Sequence, residues 1–261
     1  MEATNTSYGS VRHLADGAAY LFAEHTVRPG RAIPVRSHPS DYRSFVVLEG
    51  QVGLEVPRGD GEIETKAYGY LSGWHAFPQS AYRIASIGSE PAVLLEAGSV
   101  LGETTQACAL PGHDAAACVD LSDYTVNKPW GSEIWYTRNI PDVPYALKRI
   151  QMTTGHRSSL QSHRHKMETN YVIEGEATVL SGVMAPEDLS AVIDVGELTT
   201  TVHRPRSGWT SPPGELHRVI AQTDYTSIEV STPELDDVIR WQDDTDRRHG
   251  RIDSEHAKAR T

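Results

Sequence analysis

The amino-acid sequence predicts an all-β protein built from two tandem barrels. Short runs of β-branched and aromatic residues are punctuated by Gly and Pro, helical periodicity is nearly missing, and an internal repeat has the length of a whole domain. The strand runs include SFVVLEGQVGLEV, PAVLLEAG, NYVIEGEATVL and YTSIEVS. Helical spacing surfaces only in ELDDVIRWQDD, where Leu235, Val238, Ile239 and Trp241 would share one face of a terminal helix. The closing stretch, TDRRHGRIDSEHAKART, is polar throughout and reads as a solvated tail.

The repeat appears when the halves are aligned at one offset. Tyr20 and Tyr145, Gly30 and Gly155, His38 and His163, and Gly50 and Gly175 are each 125 positions apart. Pro78 and Pro213 are 135 apart, so ten extra residues lie between the two motifs of the second half. A repeat of this length is too long for a solenoid unit and is the size of a small domain. The expected partition is a first barrel over 1–102, a linker over 103–122, a second barrel over 123–235, and a C-terminal helix with a polar tail over 236–261.

With 261 residues, 38% of them hydrophobic and 23% charged, the chain has enough apolar material to bury a core. A formal charge of -11 argues against nucleic acid or an anionic membrane as a general partner. The N-terminal MEATNTSYGS has no basic region followed by an apolar run, and no apolar stretch reaches the roughly 18 residues of a membrane span, so a cytoplasmic protein is expected. Cys108 and Cys118, the only cysteines, are expected as free thiols in a reducing compartment.

The chemistry concentrates in the second half. His163 and His165 are one residue apart, which on a strand points both side chains to the same face. Glu168 follows at an odd step, so a turn or bulge must intervene for all three to converge. Downstream, Pro213 and Gly214 lead into His217. Three imidazoles and one carboxylate form a mixed nitrogen and oxygen set suited to one divalent metal: zinc or iron, with manganese, nickel and copper also compatible. Such a set leaves coordination positions open for substrate. Arg157, Gln161 and Arg218 flank it as candidate substrate-binding groups, and Lys166 and Glu215 are candidate bases.

The spacing Gly155, His-x-His, Glu168, Gly175 and then Pro-Gly-x-x-His resembles the paired motifs of the cupin superfamily. More narrowly, KPWGSE, LKRIQM, SLQSHRHKMET, VIEGEA, PPGELHRV, SIEV and DDVIRWQDDTDR resemble the type II phosphomannose isomerases and cover nearly all of the second half. The resemblance implies two cupin double-stranded β-helix (jelly-roll) barrels, with metal ligands at His163, His165, Glu168 and His217. At the same offsets the first half carries Ser40 for His165, Arg43 for Glu168 and Tyr82 for His217, and only His38 survives, so a metal-free first barrel is expected.

The function expected is a metal-dependent isomerase or lyase acting on a small polar or anionic metabolite, suited to a specialised biosynthetic step. A non-haem iron dioxygenase and a non-catalytic small-molecule-binding bicupin are the alternatives. The bicupin is expected as a monomer or homodimer.

Overall fold

The computed structural model describes residues 2–15, 19–58, 60–100, 106–107 and 117–259. The chain divides into two compact units, Met1–Leu121 and Ser122–Thr261. Each is a pair of antiparallel sheets, seven and five strands in the first unit and six and five in the second.

Both units repeat one sheet order. In the first, Tyr20–Val27, Ala92–Ser99, Arg43–Glu49 and Gly73–Ala76 lie side by side; in the second, Ala146–Met152, Tyr225–Ser231, Glu168–Glu174 and Gly208–Ser211 do the same. The opposing sheet of the first unit contains Ala32–Ser37, Ala81–Ser86 and Val52–Pro57, and that of the second contains Leu160–Ser162, Glu215–Ala221 and Ala177–Met184. Alternation along these strands turns Val27, Phe45, Val47, Trp74 and Leu94 of one sheet toward Ile33, Val52, Leu54, Tyr82 and Ile84 of the other, closing the first core. In the second unit Trp130, Ile150, Met152, Val172 and Tyr225 meet Ala177 and Ala221. Two further buried clusters form around Val126, Trp135 and Ala146 and around Leu160, Leu198 and Leu216.

Gly50 and Gly175, partners in the repeat, end equivalent strands with φ of 70° and 74°. A Cβ on Gly175 would lie 2.0 Å from the Asp224 carbonyl oxygen, and one on Gly50 would lie 2.7 Å from that of Pro91. Glycine at this step is therefore required by close approach as well as by backbone angle.

Two expectations about the C-terminal segment are corrected. Ile239–Gln242 is a strand, paired to Leu160–Ser162 with Ser162 opposite Ile239 and Gln161 opposite Arg240. A seven-residue apolar pattern is too short to hold a helix unaided, whereas the free edge of Leu160–Ser162 supplies a ladder, and Trp241 Nε1 donates to Ser162 Oγ at 2.9 Å. The helix is instead one turn, Asp253–His256, inside the stretch read as a solvated tail. It is tied down by Glu255 to Lys128 at 2.8 Å and by His256 stacked on Tyr124 at 6.3 Å.

Within the expected linker, Cys118–Asp120 forms a strand on Gly73–Ala76, and Gln106–Ala107 pairs with Arg36 and Ser37. Cys118 is a free thiol, pushed up to about 12 by burial and so unreactive, while Cys108 lies outside the described residues. Among the described residues no helix is long and apolar enough to cross a membrane.

The Gly175 constraint gives a comparative expectation. Gly175→Ala should cost at least about 2 kcal/mol, from strain plus backbone displacement. Gly155→Ala, with φ of 77° but nothing within 4 Å of the new Cβ, should cost only about 1 kcal/mol. Denaturant unfolding followed by tryptophan fluorescence reports mainly on the second unit, which holds Trp130, Trp135, Trp209 and Trp241; equal losses would contradict the close-approach argument.

Candidate metal centre

Three elements bring the centre together. Gln161 on Leu160–Ser162 lies directly opposite His217 on Glu215–Ala221. His163 follows immediately, and Glu168 opens the next strand, held between Gly208–Ser211 and Tyr225–Ser231. His163, Glu168 and His217 each offer a ligand atom within 4.8 Å of the others, and all three are buried. Nε2 of His217 is 3.1 Å from Glu168 Oε1, and Nε2 of His163 is 3.4 Å from Oε2.

Second contacts orient both rings. His163 Nδ1 donates to the carbonyl oxygen of Asp237, and His217 Nδ1 donates to that of Glu215 at 3.2 Å. A carbonyl can only accept, so each Nδ1 carries a proton, and each Nε2 is turned toward the carboxylate, where the neutral imidazole offers its lone pair as a ligand. The Nε2 of His163 is buried with no hydrogen-bond partner. Two neutral imidazoles so turned, with one carboxylate between them, are the donor set and tautomer that a divalent metal requires.

The fourth group is Gln161. Its Nε2 lies 3.2 Å from His217 Nε2, and its Oε1 accepts from Ser159 Oγ at 2.9 Å. Rotating the amide half a turn would offer the oxygen to the same point. Gln161, read from sequence as a substrate contact, thus stands among the ligand-type groups.

His165 does not join them. The strand ends at Ser162, residues 163–167 turn, and His165 is exposed, its backbone N–H donating to Asp237 Oδ2 at 2.6 Å. The two-residue alternation that seemed to relate His163 and His165 relates Gln161 and His163 instead.

Lys166 is buried in the centre, its Nζ 2.5 Å from Glu168 and 3.3 Å from Glu229. Burial pushes this amine down, but the two carboxylates more than reverse that and hold it above its ordinary range. Lys166 stands as a hydrogen-bond donor to both carboxylates. Burial likewise raises the Glu168 carboxyl, yet the Lys166 ammonium in contact with it keeps it well below the usual carboxylate range.

This contact is one end of an alternating ion chain. It runs from Glu255 to Lys128 (2.8 Å), Glu133 (3.5 Å), Lys148 (3.8 Å), Glu229 (3.0 Å), Lys166 and Glu168. Each of the five charges between the two ends has an opposite partner on both sides, which makes so much buried charge tolerable. Lys148 and Arg149 are adjacent on Ala146–Met152 and so face opposite ways, and Lys148 is the one that lines the cavity. Glu133 and Glu229 were missed, although a Glu at the middle of the otherwise small and apolar YTSIEVS was a visible signal.

The chain lines one side of a cavity of about 110 Å³ above the ligand groups, with Trp130, Ile150, Met152, Val219 and Tyr225 on the other. That is room for several waters or one small metabolite. Three further expectations are corrected here. Arg157 is half-exposed and bound in a fork to Asp244 at 2.6 and 2.9 Å, outside this cavity. Arg218 is next to His217 on a strand, so its side chain faces the opposite way, where it donates to the Gln242 carbonyl at 3.0 Å. Glu215 sits at the start of its strand, after the Gly214 turn, and gives the centre only its carbonyl oxygen.

The first unit supplies an internal control. Arg36 faces Tyr82 as Gln161 faces His217, and Arg43 opens its strand as Glu168 does. Glu96 takes the place of Glu229, pairing across to Phe45 where Glu229 pairs to Asn170. Around Glu96 stand His25 at 2.7 Å, Arg43 at 3.2 Å and Arg36 at 3.6 Å. Guanidinium groups thus occupy two ligand positions, and a guanidinium does not ligate a metal. His38 is pushed down to about 4 by burial and by Arg43.

No protein-family model matches the chain, and no curated protein matches it. Solved structures do. The oxalate decarboxylase of Lactobacillus farciminis, in its formate complex, has a TM-score of 0.66 at 12% identity, over 92% of this chain and 86% of that one. A Bacillus subtilis oxalate decarboxylase, described for its Mn(II) centres, has a TM-score of 0.63 at 12% identity, over 93% of this chain and 75% of that one. The chain has the bicupin fold. At such identity the likeness is one of fold, and in this bicupin the His, Glu, His group belongs to the second barrel. These structures do not show the phosphomannose isomerase resemblance of that barrel.

The ion chain makes the second barrel acid-sensitive. Burial alone would raise the Glu133 carboxyl, but Lys128 and Lys148 hold it down at about 2. A carboxyl lower in the folded chain than its unfolded value of 4.5 gives stability that is complete above that pH and lost as the pH falls toward 2. Glu133→Gln should therefore destabilise the second barrel by roughly 3 kcal/mol at neutral pH and flatten its stability profile below pH 4.5. Unchanged acid unfolding in tryptophan fluorescence would contradict the assignment.

Proposed function

We propose that the second barrel of this bicupin is a metal-dependent catalytic centre acting on a small carboxylate-bearing metabolite, with lyase or isomerase chemistry. The observation that carries the reading is the pair of Nε2 lone pairs and the Glu168 carboxylate converging at the floor of a cavity rather than inside a closed core. A structural site closes around its ion, while a site with free positions under a cavity accepts a ligand.

Gln161, His163, Glu168 and His217 would hold the ion. When bound, a divalent ion supplies Lewis acidity, polarising a substrate oxygen and acidifying the adjoining carbon or water. The chain's own residues do the remainder. Lys148 and Lys166 present ammonium groups on the charged wall, and Arg240 and Arg247 line the same cavity, so an anionic group meets cations near the floor. Trp130, Ile150, Met152 and Tyr225 keep the opposite wall dry and strengthen those contacts. Lys166, an ammonium beside Glu168, is placed to donate a hydrogen bond to charge that develops on the substrate.

The matched proteins are oxalate decarboxylases, one of them in a formate complex and another described for its Mn(II) centres. Their names support reading the substrate as a carboxylate and the chemistry as that of a lyase, and manganese joins zinc and iron as a candidate metal.

Elemental analysis of the purified protein should find one equivalent of divalent metal per chain. Glu168→Gln should bring it near zero, and turnover of small dicarboxylates or keto acids should fall by at least about a thousandfold. Arg157→Ala should leave both unchanged. Wild-type protein that holds no metal under any loading condition would overturn the proposal.

A further inference from the structure

The segment after Ser231 does more than end the chain. Leu235, Val238, Arg240, Gly250 and Ile252 line the metal cavity, so this strap forms one of its walls. It is folded back on itself, with Gly250 N–H donating to the Val238 carbonyl at 2.7 Å and Arg240 donating to the Gly250 carbonyl at 2.8 Å.

Asp237 joins the strap to the ligand turn twice. Its carboxylate accepts three successive backbone N–H groups, those of Arg164 at 3.0 Å, His165 at 2.6 Å and Lys166 at 3.0 Å. Its carbonyl oxygen accepts Nδ1–H of His163. Three consecutive amides pointing at one carboxylate form a nest that fixes the path of the turn, and that turn sets the spacing between His163 and Glu168. The carbonyl contact fixes the tautomer and the ring plane of His163.

We infer that Asp237 is a positioning residue, latching the C-terminal strap onto the His163–Lys166 turn so that cavity closure and ligand geometry form together. The inference rests on the metal reading given above. Asp237 touches no reacting atom and acts through His163 and the turn.

The test compares Asp237→Ala, Asp237→Asn and, as a neighbouring control, Asp236→Ala, whose carboxylate is exposed and reaches only Arg251 at 3.6 Å. Two readouts are taken on the full chain: Co(II) affinity by titration of the visible spectrum, and amide hydrogen exchange at residues 164–166. Asp237→Ala should bind Co(II) about 10 to 100 times more weakly and lose protection at those amides. Asp237→Asn, which keeps one oxygen acceptor, should fall between it and wild type, and Asp236→Ala should match wild type. Should Asp237→Ala fail to fold, Asp237→Asn carries the same comparison. Wild-type protection at 164–166 in the Asp237 variants overturns the latch whatever the metal does, and wild-type Co(II) affinity overturns the positioning role. If wild-type protein binds no Co(II), the proposed function fails separately, and the exchange readout alone upholds or overturns the latch.

Discussion

Everything in the second barrel is arranged around one buried carboxylate. Glu168 lies in a protein interior with two imidazole nitrogens turned toward it, and a charge so placed is unstable without a cation in contact. The surrounding fold provides for this at each level. Strand pairing sets Gln161 against His217, backbone carbonyls fix both imidazole tautomers, and an alternating chain of Lys and Glu carries compensation out to the C-terminal helix. Because these charges neutralise one another in sequence, each position depends on its neighbours more than on its own burial.

The two barrels show what happens when this carboxylate is exchanged for a cation on an unchanged frame. Arg43 replaces Glu168, and the retained Glu96 becomes its counterion together with Arg36 and His25. The first barrel thereby balances its interior charge with protein groups alone. The second leaves lone pairs converging under a cavity. The difference lies in three side chains, Arg43 for Glu168, Arg36 for Gln161 and Tyr82 for His217, while the order of the shared strands, the left-handed glycines and the register of the opposing strands stay the same.

Much of this was legible in the sequence because it depends on periodicity and spacing. The repeat at 125 residues carried the duplicated frame, and the motif spacing singled out His163, Glu168 and His217. What escaped depends on where strands stop. His165 looked equivalent to His163 only while both were assumed to lie on a strand, yet the ladder ends at Ser162 and the chain turns. Arg218 was favoured for its nearness to a ligand, although adjacency on a strand places it on the opposite face. The C-terminal strap read as helix and tail because nothing local announces that an edge strand 80 residues earlier awaits a partner. Glu229 and Glu133 were passed over since a lone acidic residue in a strand is ordinary until its neighbours are known.

The most direct measurement of the central claim is X-ray absorption at the metal edge of fully loaded protein, combined with the same measurement on His165→Ala and Gln161→Ala. The account predicts a single metal with two imidazoles and oxygen donors, unaltered by His165→Ala and altered by Gln161→Ala. A third imidazole that disappears with His165→Ala would contradict it, as would a metal that survives Glu168→Gln.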